Sequence, residues 1–493
     1  MIPQAFPTDT PLPTIDGIRS RVKFLSGFSP ELYDCCTNSC VCYVGPHANL
    51  DRCPYCKADR FGANKKPQKR FAYIPLIPRL AAFVANPTIA SKLEYRHTYQ
   101  SEDSKIKDVF DSQIYHRLQK RQIHINDQKL SRRYFSDGRD IALGLSTDGF
   151  CPFKRRNQTA WPLIVFLYNL PPEIRFHLEN ILSLGVIPGP KKPHDIDSFL
   201  WPLVQELLTL KKGVPAFDAL SQTRFALHAF LILIFGDMPA MSLIMSMKGH
   251  NGISPCRMCK ILGLRVPGSR ATTHYVPLDR TNHPDAGANK IYNAAALPLR
   301  THSEMLAQAT EIENAQTNTA ADALAKEYGI KGRSILFHID SIFFPASFPF
   351  DFMHLIWENV IKNLLLLWTG DFKDMDEGSG SYWLADAIWD GIGLSTAAAG
   401  RTIPSAYGAR VPNIAQSSNL SAEMYSIWTL YIAPVLLRRR FRHKKYYDHF
   451  VELVYLLNLC LQFEITLAEV EMVRLGFIDW VKKYERYVKK YWA

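Results

Sequence analysis

The stretch Ile141-Ala-Leu-Gly-Leu-Ser-Thr-Asp148-Gly149 reads as a short apolar β-strand that ends on a carboxylate and a turn glycine. Working outward, Trp161–Leu170 (WPLIVFLYNL) is a second strand, stopped by Pro171-Pro172, and Asn180–Ile187 is a third, stopped by Pro188-Gly189-Pro190. A helix follows. Asp197 or Ser198 can cap it, and Leu200, Leu203, Val204, Leu207 and Leu208 recur at helical spacing until Gly213. Phe225–Phe235 is then an apolar run closing on Gly236-Asp237-Met238-Pro239. The order strand, strand, strand, helix, strand predicts an α/β fold with a mixed sheet, in which one Asp closes the first strand and another closes the last.

Around that core, the 493 residues have 47% hydrophobic, 12% aromatic and 21% charged side chains, which excludes a mostly disordered or collagen-like chain. No apolar run approaches the roughly 18 residues of a bilayer span, so no membrane partner is expected. The first residues (MIPQAFPTDTPLP) lack a basic stretch followed by an apolar one, so no secretory signal is expected either. The segments read as a loose arm over 1–30, a cysteine module over 31–60 and a mostly helical, DNA-binding or linker region over 61–140. The α/β core covers 141–250, an insertion with an Ala-rich helix covers 251–350, and a helical C-terminal region covers 351–493. The last helix opens with the capping box Thr466-x-x-Glu469 and carries an apolar stripe to Tyr491, which predicts a chain cut before its natural end.

Six of the ten cysteines lie between Cys35 and Cys56. Cys36-x3-Cys40-x12-Cys53-x2-Cys56 can close a tetrahedron around Zn2+, which would supply folding energy that so short a module cannot obtain from burial. Cys35 and Cys42 are extra thiols, either of which could replace Cys36 or Cys40. Cys256 and Cys259 offer two ligands for a second zinc, with His250, His274, His302 or His354 as candidates to complete it. Asp148 and Asp237, on adjacent parallel strands, could share Mg2+ or Mn2+, because two neighbouring carboxylates repel unless cations sit between them. In Asp351-Phe-Met-His354-x3-Glu358, offsets of three and seven place three polar groups near one helix face, where a further metal ligand could arise.

The net charge is 58 − 46 = +12. It concentrates in Lys65–Arg70, in Lys154-Arg155-Arg156, and most strongly in Arg438-Arg439-Arg440-Phe441-Arg442-His443-Lys444-Lys445. Such runs suit phosphate contact or nuclear import.

Taken in order, Leu145-Ser-Thr-Asp148-Gly-Phe150, Trp161-Pro162 with Tyr168-Asn-Leu-Pro-Pro172, Ile187-Pro-Gly-Pro-Lys191, Gly236-Asp237-Met-Pro-Ala240, Ser254-Pro-Cys256-x2-Cys259, His274-Tyr-Val-Pro277 and Asp351-Phe-Met-His354 resemble the transposases of CACTA (En/Spm-type) DNA transposons, in the Tnp2-like form common in fungi. The cysteine module matches too, and the resemblance runs from about residue 31 to near the end. It implies an RNase H-like core whose Asp-Asp-Glu (DDE) triad cuts transposon ends and joins them to target DNA using Mg2+ or Mn2+. Asp148 and Asp237 stand as its first two acids. It further implies a nuclear, DNA-binding, zinc-containing protein capable of self-association. The closing histidines and the catalytic Glu of the relatives have no counterpart between Glu423 and Ala493, and Glu358 is the one motif-linked substitute. A truncated or catalytically impaired copy is therefore expected. Two other readings stand beside it: a non-catalytic, zinc-stapled DNA-binding or interaction protein derived from a transposase, and an RNase H-like nuclease acting on RNA.

Overall fold

The computed structural model describes residues 14–26, 28–126, 128–153, 158–249, 251–266, 274–372, 380–417 and 419–488. The chain divides into two compact units. The first gathers Met1–Tyr99, Arg117–Ile234 and Ser334–Ile342; the second gathers Gln100–His116, Phe235–Arg333 and Phe343–Ala493.

The first unit is built on a six-stranded mixed sheet of β1 (Glu31–Asp34), β2 (Arg70–Tyr73), β3 (Ile141–Thr147), β4 (Ala160–Leu167), β5 (Leu182–Pro188) and β6 (Ala229–Phe235), in the order β1-β2-β5-β4-β3-β6. β3, β4 and β5 pair antiparallel, with Leu145 opposite Val165 and Trp161 opposite Ile187. Ile141 N–H donates to His228 O (2.9 Å), so β3 and β6 start side by side and run in the same direction. β3 is buried along nearly its whole length, which is why it reads as a continuous apolar run rather than an alternating one. Pro162 sits in β4 just outside the β3 register, which begins with Leu163 opposite Thr147, so its missing N–H interrupts no bond on that side.

The helix α1 (Ile196–Lys212) buries Phe199, Leu200, Leu203, Val204, Leu207 and Leu210. Each such side chain contributes roughly 1.5–3 kcal/mol. Asp195 caps it through Ser198 N (3.2 Å), two or three residues ahead of the expected caps, and Gly213 ends it at φ 92°. Glu206 on α1 accepts from Tyr73 Oη (2.5 Å), Leu76 N and Ile77 N, tying the helix to the strand that follows the cysteine module.

Two differences from the sequence reading have clear causes. The cysteine module is not a free-standing segment: its flanks form β1 and β2, and Tyr73 pairs with Gly185 of β5, so residues 31–73 extend the sheet of the 141–235 region. Gly185, at φ 138°, permits this, since a Cβ there would lie 2.3 Å from Ala72 O. The run Phe225–Phe235 is not one strand. It breaks at His228 between a hairpin (Val214–Asp218 with Thr223–Leu227) and β6, so a hairpin stands between helix and last strand.

In the second unit the helix α2 (Met238–Ile244) follows β6. The Ala-rich insertion forms two helices, α3 (His302–Glu313) and α4 (Asn318–Tyr328), each capped by a threonine. A π-helical segment, Met353–Ile361, and the helices α5 (Lys444–Cys460) and α6 (Leu467–Val488) enclose a core around Trp428, Phe450 and Leu453. α5 and α6 are pinned by reciprocal bonds, His449 Nε2 with Trp480 O (2.9 Å) and Trp480 Nε1 to His449 O (3.0 Å). The expected capping box is present: Glu469 N–H donates to Thr466 Oγ1 (3.2 Å) and Thr466 N–H to Glu469 Oε2 (2.8 Å). Among the described residues no helix is long and apolar enough to cross a membrane.

Candidate functional site

Four cysteines converge in the first unit. The sulfurs of Cys36, Cys40, Cys53 and Cys56 all lie within 4.8 Å of one another. A tetrahedron with Zn–S bonds of about 2.3 Å has edges of about 3.8 Å, so this set, with the Cys36 and Cys56 sulfurs 3.4 Å apart, needs shifts of about 1 Å or less around the metal. Cys36 and Cys53 are fully buried, whereas Cys56 is exposed. Backbone and amide donors face the sulfurs: Asn38 N–H to Cys36 (3.4 Å), Cys56 N–H to Cys53 (3.5 Å) and Asn38 Nδ2 to Cys56 (3.3 Å). Such N–H···S bonds disperse thiolate charge, as expected around a structural zinc. Burial pushes the Cys56 thiol up, but the donors around it outweigh that and bring it down to about 6. The donor set therefore fits zinc. Cys35 and Cys42, instead, face each other across a backbone bridge and stand outside the set.

The module is locked in place by Arg60, which no sequence pattern announced, and by Lys69, a member of the Lys65–Arg70 cluster. Arg60 reaches Asp34 Oδ2 through both Nε (3.0 Å) and Nη2 (2.9 Å), donates to Ala48 O and Leu50 O, and lies over the rings of Tyr43 and Phe61. Lys69 Nζ donates to Thr37 O (3.0 Å), Pro188 O (3.0 Å) and Gly189 O, clamping the thiolate loop to the end of β5. His194 N and Asp195 N both donate to Cys40 O.

Asp148 is the first residue after β3, and its Oδ1 accepts from Gly149 N (2.6 Å). Gly149 is required there, because a Cβ would fall 2.4 Å from the Trp161 indole. Asp237 lies two residues past β6 and caps α2 through Ala240 N (2.6 Å). In the second unit His354 Nδ1 bonds Asp351 Oδ2 (2.8 Å). Burial lowers the His354 pKa, but that bond and the charges of Asp351, Glu358 and Asp237 outweigh it, and the net shift is upward. Glu358 and Asp237 thus act electrostatically on one imidazole.

Cys256 and Cys259 form a tight turn, with Met258 N (3.3 Å) and Cys259 N (3.4 Å) donating to Cys256 Sγ. Buried Arg300 braces it from Cys256 O (3.0 Å), Cys259 O (3.3 Å) and Ser254 Oγ (2.6 Å). The expected closing histidines are not drawn in. His274 Nδ1 bonds Asn251 O, His302 Nδ1 accepts from Phe344 N and His354 holds Asp351; His250 lies outside the described residues. Among the described residues, the N-terminal cysteines are the one set of three or more metal-competent side chains.

The basic run is presented outward. Arg438, Arg439, Arg440, Arg442, Lys444 and Lys445 are exposed, while Phe441 between them is buried against Trp368 (ring centroids 5.2 Å apart). Lys444 pairs with Asp448 (2.5 Å). The second expected cluster, Lys154, Arg155 and Arg156, lies outside the described residues.

Residues 111–274 match Transposase_21, the transposase family tnp2. This match supports a transposase of that family, and hence a protein that acts on DNA. The tnp2 match spans β3 to β6, α1 and α2, and with them Asp148, Asp237, Cys256 and Cys259. It leaves the four-cysteine module and the basic run outside. No curated protein matches the sequence.

Proposed function

We propose that the chain is a CACTA-type, Tnp2-like transposase that acts in the nucleus, with zinc stapling its N-terminal module and Mg2+ or Mn2+ serving strand cleavage and transfer at transposon ends. The reading is carried by one observation. β3 and β6 are neighbouring parallel strands within the tnp2 match, and each is followed within two residues by an aspartate. The succession β3, β4, β5, α1, β6, with β6 beside β3, is what an RNase H-like core would require, the hairpin before β6 being an addition. Asp148 and Asp237 would hold the divalent cations, each steadied by a backbone N–H on one oxygen. A bound cation supplies activation of the attacking oxygen and stabilisation of the leaving oxygen of the phosphodiester. Glu358 is the candidate third acid by its place in the Asp351-x2-His354-x3-Glu358 motif. Exposed Arg438–Lys445 would hold DNA phosphates.

The second reading, a zinc-stapled DNA-binding protein without catalysis, is favoured by that exposed run and by the Asp237 side chain's service as a helix cap. The two separate on one assay. Incubation of the full chain with labelled transposon-end DNA and Mn2+ should yield nicked or joined strands, reduced more than 100-fold in Asp148→Ala and in Asp237→Ala. DNA binding that is intact in both variants, with no cleavage by the wild type, would select the second reading.

A further inference from the structure

The second unit contains a cavity of about 830 Å3. That is ample for a drug-sized ligand. Its walls carry four permanent cations, Lys248, Arg265, Arg280 and Lys326, against two carboxylates, Asp285 and Asp322. Arg280 is fully buried and committed to Pro277 O and Leu262 O, with its guanidinium 4.8 Å from the Tyr292 ring centroid. It thus acts as a fixed positive wall behind an aromatic face. Arg265 and Lys326 are exposed at the rim, and Lys248 has only a 4.0 Å pairing with the highly exposed Asp322.

His274 marks where these charges meet. Burial lowers its pKa, and the charges of Arg265 and Lys326 lower it further, so cations from two separate chain segments reach the same imidazole. Its Nδ1 is engaged with Asn251 O (3.1 Å), a bond that fixes the ring. Gly263 lets it approach, since a Cβ there would lie 2.6 Å from His274 Cβ. Apolar Ile253 and Leu264 complete the wall. Cations that outnumber the carboxylates four to two, beside an aromatic ring and an apolar floor, are complementary to a phosphate joined to a flat heterocycle.

We propose that this cavity binds a nucleotide, its phosphate held by Lys248, Arg265 and Lys326 and its base lying along Tyr292. The nucleotide is either free or the phosphorylated end of a DNA strand, and only the second source rests on the transposase reading. Isothermal titration of the full chain, without added divalent cation, with deoxyadenosine monophosphate, with deoxyadenosine, and with a short oligonucleotide bearing or lacking a 5′-phosphate tests this. The monophosphate should bind, the nucleoside at least 10-fold more weakly. The double variant Arg265→Ala/Lys326→Ala, altered only at exposed side chains, should lose at least 10-fold for every phosphorylated probe. Tyr292→Leu should weaken deoxyadenosine monophosphate more than inorganic phosphate. A strand source predicts that the 5′-phosphorylated oligonucleotide binds more tightly than the mononucleotide and competes with it; a free-nucleotide source predicts the reverse. Asp148→Ala should leave all these affinities unchanged, so failure of the catalytic assignment and failure of this pocket read out separately. No binding by any phosphorylated probe, or undiminished binding in the double variant, overturns the proposal.

Discussion

Replacing Cys53 by Ser tests the metal staple where the structure gives it least room to compensate. Cys53 is fully buried beside Cys36, and the small cluster they share adds only Val41 and Tyr43 as buried members. Those two side chains contribute roughly 1.5–3 kcal/mol each, whereas structural zinc contributes about 10–16 kcal/mol in small modules. Loss of an outer hydrogen bond to a ligand typically costs 10–100-fold in metal affinity. Removing the ligand itself should exceed that range, which sets a floor of about 2.7 kcal/mol. Elemental analysis of reduced wild-type protein should find one zinc equivalent more than in Cys53→Ser. Chelator competition should show an affinity drop above 100-fold, and limited proteolysis should cut the variant first between Cys36 and Arg60. Asn38→Ala, which removes the donor to Cys56 Sγ, should fall within the 10–100-fold window. Equal zinc content in wild type and Cys53→Ser, or a proteolysis pattern indifferent to chelator, would refute the reasoning.

Neutralising Arg438, Arg440 and Lys444 together should reduce the steepness of log K against log salt for duplex DNA by about 2.7, at about 0.9 per phosphate contact, while leaving the melting temperature unchanged because all three are exposed. Phe441→Ala, by contrast, should destabilise the second unit by about 3–5 kcal/mol, measured by urea unfolding, because that ring is the buried anchor of the run. Asp197 gives a pH signature. Burial pushes its carboxyl up to about 7, despite the bond from Ile335 N (2.9 Å), and the Asp195 charge adds to the rise. The folded state therefore prefers the protonated acid: its contribution is full below about pH 4, the unfolded value, and is lost as pH rises through about 7. Asp197→Asn should match wild type in urea unfolding at pH 4 and exceed it at pH 8 by up to about 4 kcal/mol, and superimposable pH profiles would contradict this.

Local signals carried much of the first unit. β3 emerges where Ile141–Leu145 is continuously apolar, and α1 buries the Leu200, Leu203, Val204 and Leu207 stripe that its spacing announced. What stayed hidden depended on partners distant in sequence. Glu31–Asp34 and Arg70–Tyr73 are four-residue strands whose membership of the sheet rests on one pairing, Tyr73 with Gly185, more than a hundred residues away. His228 breaks the 225–235 run between hairpin and β6, a single polar residue in an otherwise apolar stretch that the strand reading passed over. At the candidate zinc site the four thiols were legible because thiol spacing is a short-range code, and the structure draws Cys36, Cys40, Cys53 and Cys56 together while Cys35 and Cys42 stand outside that set. Lys69, Arg60 and Arg300, which hold the two cysteine turns in shape, bond mostly to backbone carbonyls, for which sequence has no signature.

Mn2+ titration followed by electron paramagnetic resonance, on the zinc-loaded full chain, addresses directly whether Asp148 and Asp237 serve the same cations. The account predicts that Asp148→Ala and Asp237→Ala each weaken Mn2+ binding more than 100-fold, and that the double variant is no worse than the poorer single one, because ligands of one shared site fail together. Mn2+ affinity unchanged in either single variant, or losses that simply add in the double, would contradict it.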